Sequence, residues 1–257
     1  MDPYNKNVFT IITVVFNAEK TISKTINSIL NQTQSFFEYI IIDGKSNDKT
    51  LDIINSYKQQ FIKKNINFTI ISEEDIGIYD AMNKGIDLAS TEYITFLNAD
   101  DTFDKEFINS CLIIVKDTSP DYIYSSVHAF IGGTEKHFIP NFNPNTFTFK
   151  SMPFPHPGLI IKREVYNEIG KFDLKYKFAA DLDFILRLIK CKKYYGIKNN
   201  ISYVNYTVGG VGNSFQSLDE SIIIYKKYNN SIFFLLNLYI IGYLKLIYIK
   251  LMHINNA

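Results

Sequence analysis

Cysteine is scarce in this chain of 257 residues: Cys111 and Cys191 stand far apart, in apolar or basic helical patterns. No paired spacing joins them, which excludes a cysteine-held metal or a redox motif. Both are expected to be buried, unpaired thiols in a reducing cytosol. Charge of one sign is equally scarce. A formal net charge of +1 supplies no global field, and no basic patch lies near the motifs described below, so nucleic acid is not an expected partner. No secretory leader is expected either, because Asp2 stands where a basic start is usual. The first apolar run, residues 8–16, then breaks at Asn17-Ala18-Glu19-Lys20. There is no glycine-rich turn after that run and no internal repeat.

What is present is an alternation of strand and helix patterns, in a chain long enough for one large domain or two small ones. Strands are predicted at residues 8–16, 37–43, 68–72 and 93–97, and helices near 20–31, 49–58 and 77–89. Ile22, Ile26 and Ile29-Leu30 recur at helical spacing, and Asp48 is read as the N-cap of the 49–58 helix. This order predicts a doubly wound α/β core with a mostly parallel sheet covered on both faces. Such sheets bind ligands beyond the carboxyl ends of their strands, where Asn17, Asp43, Glu73 to Asp75 and the pair Asp100 and Asp101 all fall. Further along come a helix at 104–115, strand-like pieces at 121–131 and 136–139, the loop Pro153-Phe154-Pro155-His156-Pro157-Gly158, and a helix at 181–190.

Several of these residues have chemical uses, each with a plainer alternative. Asp100 and Asp101 follow an apolar strand, where carboxylates can hold Mg²⁺ or Mn²⁺ against a diphosphate; alone, the pair would be a polar turn. Asp43 suits a nucleobase N–H, or else an Asx-turn. Asp181, in the first turn of its helix, suits a general base for an acceptor hydroxyl, or else a helix cap. His156 is a substrate contact or a structural histidine.

Together the motifs resemble glycosyltransferase family 2, over roughly residues 8–190. Thr13-Val14-Val15-Phe16-Asn17 stands at the family's first nucleotide-binding strand. Ile42-Asp43-Gly44-Lys45-Ser46-Asn47-Asp48-Lys49-Thr50 is similar to its Asp-(Asp/Gly)-Gly-Ser-Thr-Asp-x-Thr segment, with Lys45 in place of a glycine. Ser72-Glu73-Glu74-Asp75-Ile76-Gly77-Ile78-Tyr79-Asp80-Ala81-Met82-Asn83-Lys84-Gly85 is similar to a branch that builds bacterial surface polysaccharides, with Met82 where many members have arginine. Asn98-Ala99-Asp100 resembles the Asp-x-Asp metal motif with its first aspartate replaced, and Ala180-Asp181 resembles the Glu-Asp that supplies the base.

The resemblance implies a GT-A fold with a smaller acceptor-side subdomain, and an inverting transfer from a nucleotide-diphosphate sugar, UDP favoured. Asp181 is then the catalytic base and Asp100 and Asp101 the ligands of Mn²⁺ or Mg²⁺. Val15, Phe16, Asn17, Asp43, Ser46, Asp75, Asn83, Asn98 and Ala99 become donor-site residues. His156 and Gly158, with the loop Val208-Gly209-Gly210-Val211, are expected near the acceptor, a glycan or a lipid-linked sugar of O-antigen, capsule or exopolysaccharide.

Residues 1–101 are expected to form the donor half, 102–216 the acceptor half and 217–257 a C-terminal apolar helix. That helix is short of a membrane span, with Asn237 inside it. It suits either the cytoplasmic face of a membrane, bound peripherally, or a homodimer interface. Two other functions stay open: a nucleotidyltransferase, against which the missing glycine loop counts, and a non-catalytic sugar-nucleotide or glycan-binding protein, against which Asp100 and Asp181 count.

Overall fold

A computed structural model describes residues 7–131, 134–207, 214–229 and 231–254. The first four strands are β1 (Phe9–Val15), β2 (Phe37–Asp43), β3 (Asn67–Ser72) and β4 (Tyr93–Phe96), alternating with helices α1 (Ile22–Leu30), α2 (Thr50–Ser56), α3 (Lys58–Lys63) and α4 (Ile78–Leu88). They pair in parallel in the order β3-β2-β1-β4. β1 and β2 are buried along their whole length, because helices cover both faces and every side chain of a pleated strand then meets a core. Ile12 and Val14 point to one core with Met82 and Ile86 of α4. Phe9, Ile11 and Val15 point to the other with Ile22, Ile26 and Ile29 of α1. Each such buried side chain contributes about 1.5–3 kcal/mol.

Beyond β4 the chain adds β5 (Thr102–Phe103), α5 (Phe107–Thr118), β6 (Tyr122–Ile131), β7 (Thr134–Phe138), β8 (Ile160–Lys162), α6 (Arg163–Ile169), α7 (Ala180–Lys190), β9 (Gly196–Tyr206), α8 (Phe215–Lys226) and α9 (Ile232–Ile254). The same sheet continues as β4-β8-β6-β9-β5, with β7 on β6. Here it becomes mixed: β8 runs antiparallel to β4 and β6, while β9 runs parallel to β6.

The differences from the sequence reading are local. The predicted 49–58 helix ends at Ser56, and α3 follows after Tyr57; Lys49, not Asp48, is the N-cap, while Asp48 Oδ1 accepts the Thr50 N–H from just outside the helix. The 104–115 helix starts at Phe107, because Asp104 N–H is drawn to Tyr203 O of β9. Cys111 is buried, which pushes its thiol up to about 12, but Cys191 is exposed, correcting the expectation for that residue.

α8 and α9 form a closing pair. Gly242 lets Leu218 approach so closely that a Cβ would come within 2.7 Å of it, and Phe215 stacks on Tyr243 at 5.0 Å. Phe234, Leu235 and Leu238 pack on the core, while Phe233, Leu236, Ile240 and Leu244 are exposed. Among the described residues no helix is long and apolar enough to cross a membrane.

Candidate active site

The order β3-β2-β1-β4 reverses direction at β1, and ligands of such sheets bind where the strand order switches, at the carboxyl ends. The loops after β1 and β2 are laced together there. Asn17 adopts a left-handed backbone, φ 50°, which asparagine tolerates better than most residues. Its N–H donates to Ser46 Oγ and its Oδ1 accepts from Asn47 N–H, both at 2.9 Å. Ala18 N–H donates to Thr50 Oγ1 at 2.8 Å. Asn17 and Ser46, both expected at the donor, therefore share one turn.

Asp43 is fully buried at the end of β2. It accepts hydrogen bonds from Ser46 N–H and Oγ–H and from Ser72 Oγ–H. This is the Asx-turn arrangement, with β3 tied in through Ser72, so Asp43 holds the rim that a base would rest on. Gly44 lies close beside it: a Cβ there would come 2.5 Å from Asp75 Oδ2, which would have to swing aside, and 3.6 Å from Phe16 Cδ2. Asp75 also accepts the Gly77 N–H. The ends of three strands thus bring Phe16, Gly44 and Asp75 together, and the Phe16 ring is left 62% exposed, a free aromatic face at the mouth of the crevice. Val15 lies beneath it in the core.

At the end of β4 the two aspartates divide. Asp101 is buried, 1% exposed, with Oδ1 accepting from Thr207 N–H at 2.8 Å and Oδ2 from Asn98 Nδ2 at 3.2 Å. Burial pushes its carboxyl up to about 7. Asp101 therefore ties the β4 loop to the chain leaving β9 through both of its carboxylate oxygens. Asn98 is partly spent on the same tie. Asp100 differs. Its backbone carbonyl accepts from Thr207 Oγ1, while its half-buried carboxylate accepts from no other residue among those described. Burial raises its pKa and nearby Lys24 opposes the rise. Ala99, between them, packs on the α1 side.

A partly buried carboxylate with open lone pairs fits a hard divalent cation that takes its remaining oxygens from phosphates and water. Asp100 is the residue that would hold it.

Asp181 opens α7 and accepts a 2.8 Å hydrogen bond from the Tyr79 hydroxyl at the start of α4. Burial, then Asp181, raises the Tyr79 pKa well above its ordinary value, so the phenol is a permanent donor. His156 is buried between the rings of Phe96 and Phe172, 5.7 Å from each. Burial lowers its pKa and Asp181 opposes that, so the imidazole is neutral near neutral pH. Phe96 ends β4 and Phe172 also packs on Tyr79, so His156 links the β4 end to the Asp181 corner.

Two expected contacts have other uses. Asn83 clamps the Phe172 backbone, its Nδ2 donating to Phe172 O at 2.9 Å and its Oδ1 accepting Phe172 N–H at 3.1 Å. One N–H and one lone pair of the amide expected at the donor are engaged there. Gly158, φ 80°, is buried where a Cβ would meet Val204 Cγ2 at 2.9 Å, so its role is to let the His156 loop seat on β9. The loop Val208 to Val211 lies outside the described residues.

Sequence reasoning missed the support of α7. Glu220 of α8 accepts the N–H groups of Lys177, Phe178 and Ala179 at 2.8–3.0 Å, capping α7 from another element. Buried Asp183 pairs with Arg187 at 2.8 Å and with Lys227 at 3.1 Å. A separate groove of about 670 Å³, lined by Lys20, Lys24, Asn27 and Lys105, runs along α1 and β5 rather than into the crevice.

The α/β sheet, its switch-point crevice and the strand-end carboxylate define a GT-A fold, the architecture of nucleotide-sugar transferases. The model of glycosyl transferase family 2 matches residues 10–172, and the chain belongs to that family. A PGL/p-HBAD biosynthesis glycosyltransferase of Mycobacterium bovis is 31% identical over 182 residues, 70% of this chain and 69% of that protein. The amylovoran biosynthesis glycosyltransferase AmsB of Erwinia amylovora is 28% identical, covering 71% and 64%. S. aureus TarS 1-349 in complex with UDP-GlcNAc superposes with a TM-score of 0.68 at 18% identity, covering 84% of this chain and 64% of that one. The mannosyltransferase PcManGT from Pyrobaculum calidifontis, in complex with GDP-Man and Mn²⁺, gives 0.65 at 16% identity, covering 86% and 64%. The chain thus spans just under two thirds of those solved structures.

Proposed function

We propose that this chain is an inverting, metal-dependent glycosyltransferase that moves a hexosyl or N-acetylhexosaminyl group from a nucleotide-diphosphate sugar, UDP favoured, to a hydroxyl of a glycan or lipid-linked acceptor in bacterial surface-polysaccharide synthesis. The carrying observation is the placement of Asp181, oriented by the Tyr79 hydroxyl at 2.8 Å. The relatives named for PGL/p-HBAD and amylovoran biosynthesis, and the solved structures in complex with UDP-GlcNAc or GDP-Man, support the substrate class.

Phe16 offers its exposed ring to the base, and the Asn17–Ser46 turn and Asp75 flank it. A Mn²⁺ or Mg²⁺ ion on Asp100, when bound, supplies positive charge to the departing diphosphate. Asp181 takes the proton of the acceptor hydroxyl as it attacks the anomeric carbon, in one displacement with no sugar–enzyme adduct. His156, held between Phe96 and Phe172, is the proposed contact for acceptor or diphosphate. The exposed apolar side of α9 suits peripheral contact with the membrane that carries a lipid-linked acceptor.

Transfer assays with UDP-, GDP- and dTDP-sugars, with and without Mn²⁺, test the proposal. Turnover with at least one donor should vanish with EDTA and in Asp100→Ala. Activity insensitive to both would remove the metal role, and no transfer with any donor would leave a binding protein.

A further inference from the structure

β7 is exposed at every residue, bonds to β6 alone, and lies outside both hydrophobic cores. It is therefore a strand laid on β6, which is itself paired with β9 over the same residues, and it has little burial of its own to hold it there. Its side chains on one face nevertheless converge. His128 of β6 sits directly opposite His137 of β7. Glu135 lies two residues before His137 on the same strand and therefore on the same face.

Glu135 Oε1 is 3.5 Å from His128 Nδ1 and 3.6 Å from His137 Nε2. His137 Nδ1 and His128 Nε2 are hydrogen-bonded at 2.9 Å, a contact that must open when both rings ligate an ion through their other nitrogens, because each then carries its proton there. One donor atom from each of the three residues lies within 4.8 Å of the other two. The carboxylate distances are too long for good hydrogen bonds. They match the spacing of about 3.3 Å that tetrahedral geometry with bonds near 2.0–2.1 Å sets between ligand atoms. The His128 ring is also held in orientation, stacked on Tyr203 of β9 at 3.7 Å. Two imidazoles and one carboxylate suit a borderline ion such as Zn²⁺, whereas Mg²⁺ prefers oxygen alone.

We propose that His128, Glu135 and His137 form a second metal site, separate from Asp100, which takes Zn²⁺ with a water in the open position and clips β7 onto β6. The site is independent of the transferase reading, because none of its ligands belongs to the crevice.

The test is calorimetric titration of Zn²⁺ into the full chain, freed of metal and then held in excess Mg²⁺, with thermal unfolding in parallel. The expected result is about one Zn²⁺ per chain with a raised Tm, and affinity at least about tenfold weaker in His137→Asn and in Glu135→Gln. Asp100→Ala should bind Zn²⁺ like the unaltered chain. Co²⁺ in place of Zn²⁺ should give visible absorption that His137→Asn abolishes. Equal Zn²⁺ binding by the unaltered chain and both ligand variants, or uptake lost in Asp100→Ala instead, would overturn the site.

Discussion

The Tyr79 hydroxyl and the Asp181 carboxylate meet at 2.8 Å across the first turns of two helices that are 102 residues apart in the chain. α4 lies in the proposed donor half and α7 in the proposed acceptor half, so this contact would join the two at the proposed base. A hydrogen bond to a charged group is worth about 1.5–3 kcal/mol.

Tyr79→Phe should therefore lower kcat about tenfold, equivalent to about 1.4 kcal/mol, with little change in donor KM. Asp181→Asn alone should lower kcat by about 10²–10⁴ while donor binding persists. In that background Tyr79→Phe should cost almost nothing more, because the two act as a unit. Steady-state kinetics on the four proteins of this cycle checks it; additive losses would show that Tyr79 acts elsewhere.

Glu220 supplies the cap that α7 lacks locally, where Ala179 offers no side-chain acceptor. Glu220→Ala frees three backbone donors and should cost about 1–2 kcal/mol in urea unfolding, with a fall in kcat larger than the change in donor Kd. Unaltered turnover would limit the cap to stability.

Gly85→Ala tests how closely α4 lies on β1. On an exposed helix the change would stabilise by about 0.8–1.0 kcal/mol. Here the new Cβ would come 2.6 Å from Ile12 Cγ2, and overpacking should make it destabilising by about 1–3 kcal/mol. The urea midpoint decides the sign.

Lys45 has φ 63° in the turn after β2, a left-handed conformation that costs a non-glycine residue about 1–2 kcal/mol. Its ion pair with Glu74 is exposed and gives little back. Lys45→Gly should raise stability by about 1 kcal/mol; a lower urea midpoint would mean that the side chain is used.

The parallel half of the fold was readable because its strands are long apolar runs and α1 and α4 repeat at helical spacing. Asp100 and Asp181 were readable as carboxylates at element ends. The uses of Asp101 and Asn83 were not, since each depends on where a distant backbone passes: Thr207 after β9 for one, Phe172 after α6 for the other. β9 itself, Gly-Ile-Lys-Asn-Asn-Ile-Ser-Tyr-Val-Asn-Tyr, has too many polar residues to read as a strand inside a sheet. β8, only three residues long, falls below any periodic signal. Glu220 was hidden for the same reason as Asp101, because a cap supplied from another helix leaves no local motif.

The family match ends at residue 172, yet Asp181 opens the next helix and its cap comes from Glu220, with Lys227 bracing Asp183 below. Chimeras that exchange donor halves between family members should therefore not be cut at that boundary. A junction there would keep the Asn83 clamp with Phe172 but part Tyr79 from Asp181, setting the proposed base against a foreign partner. A graft extending beyond Lys227 would carry the base together with the parts that aim it.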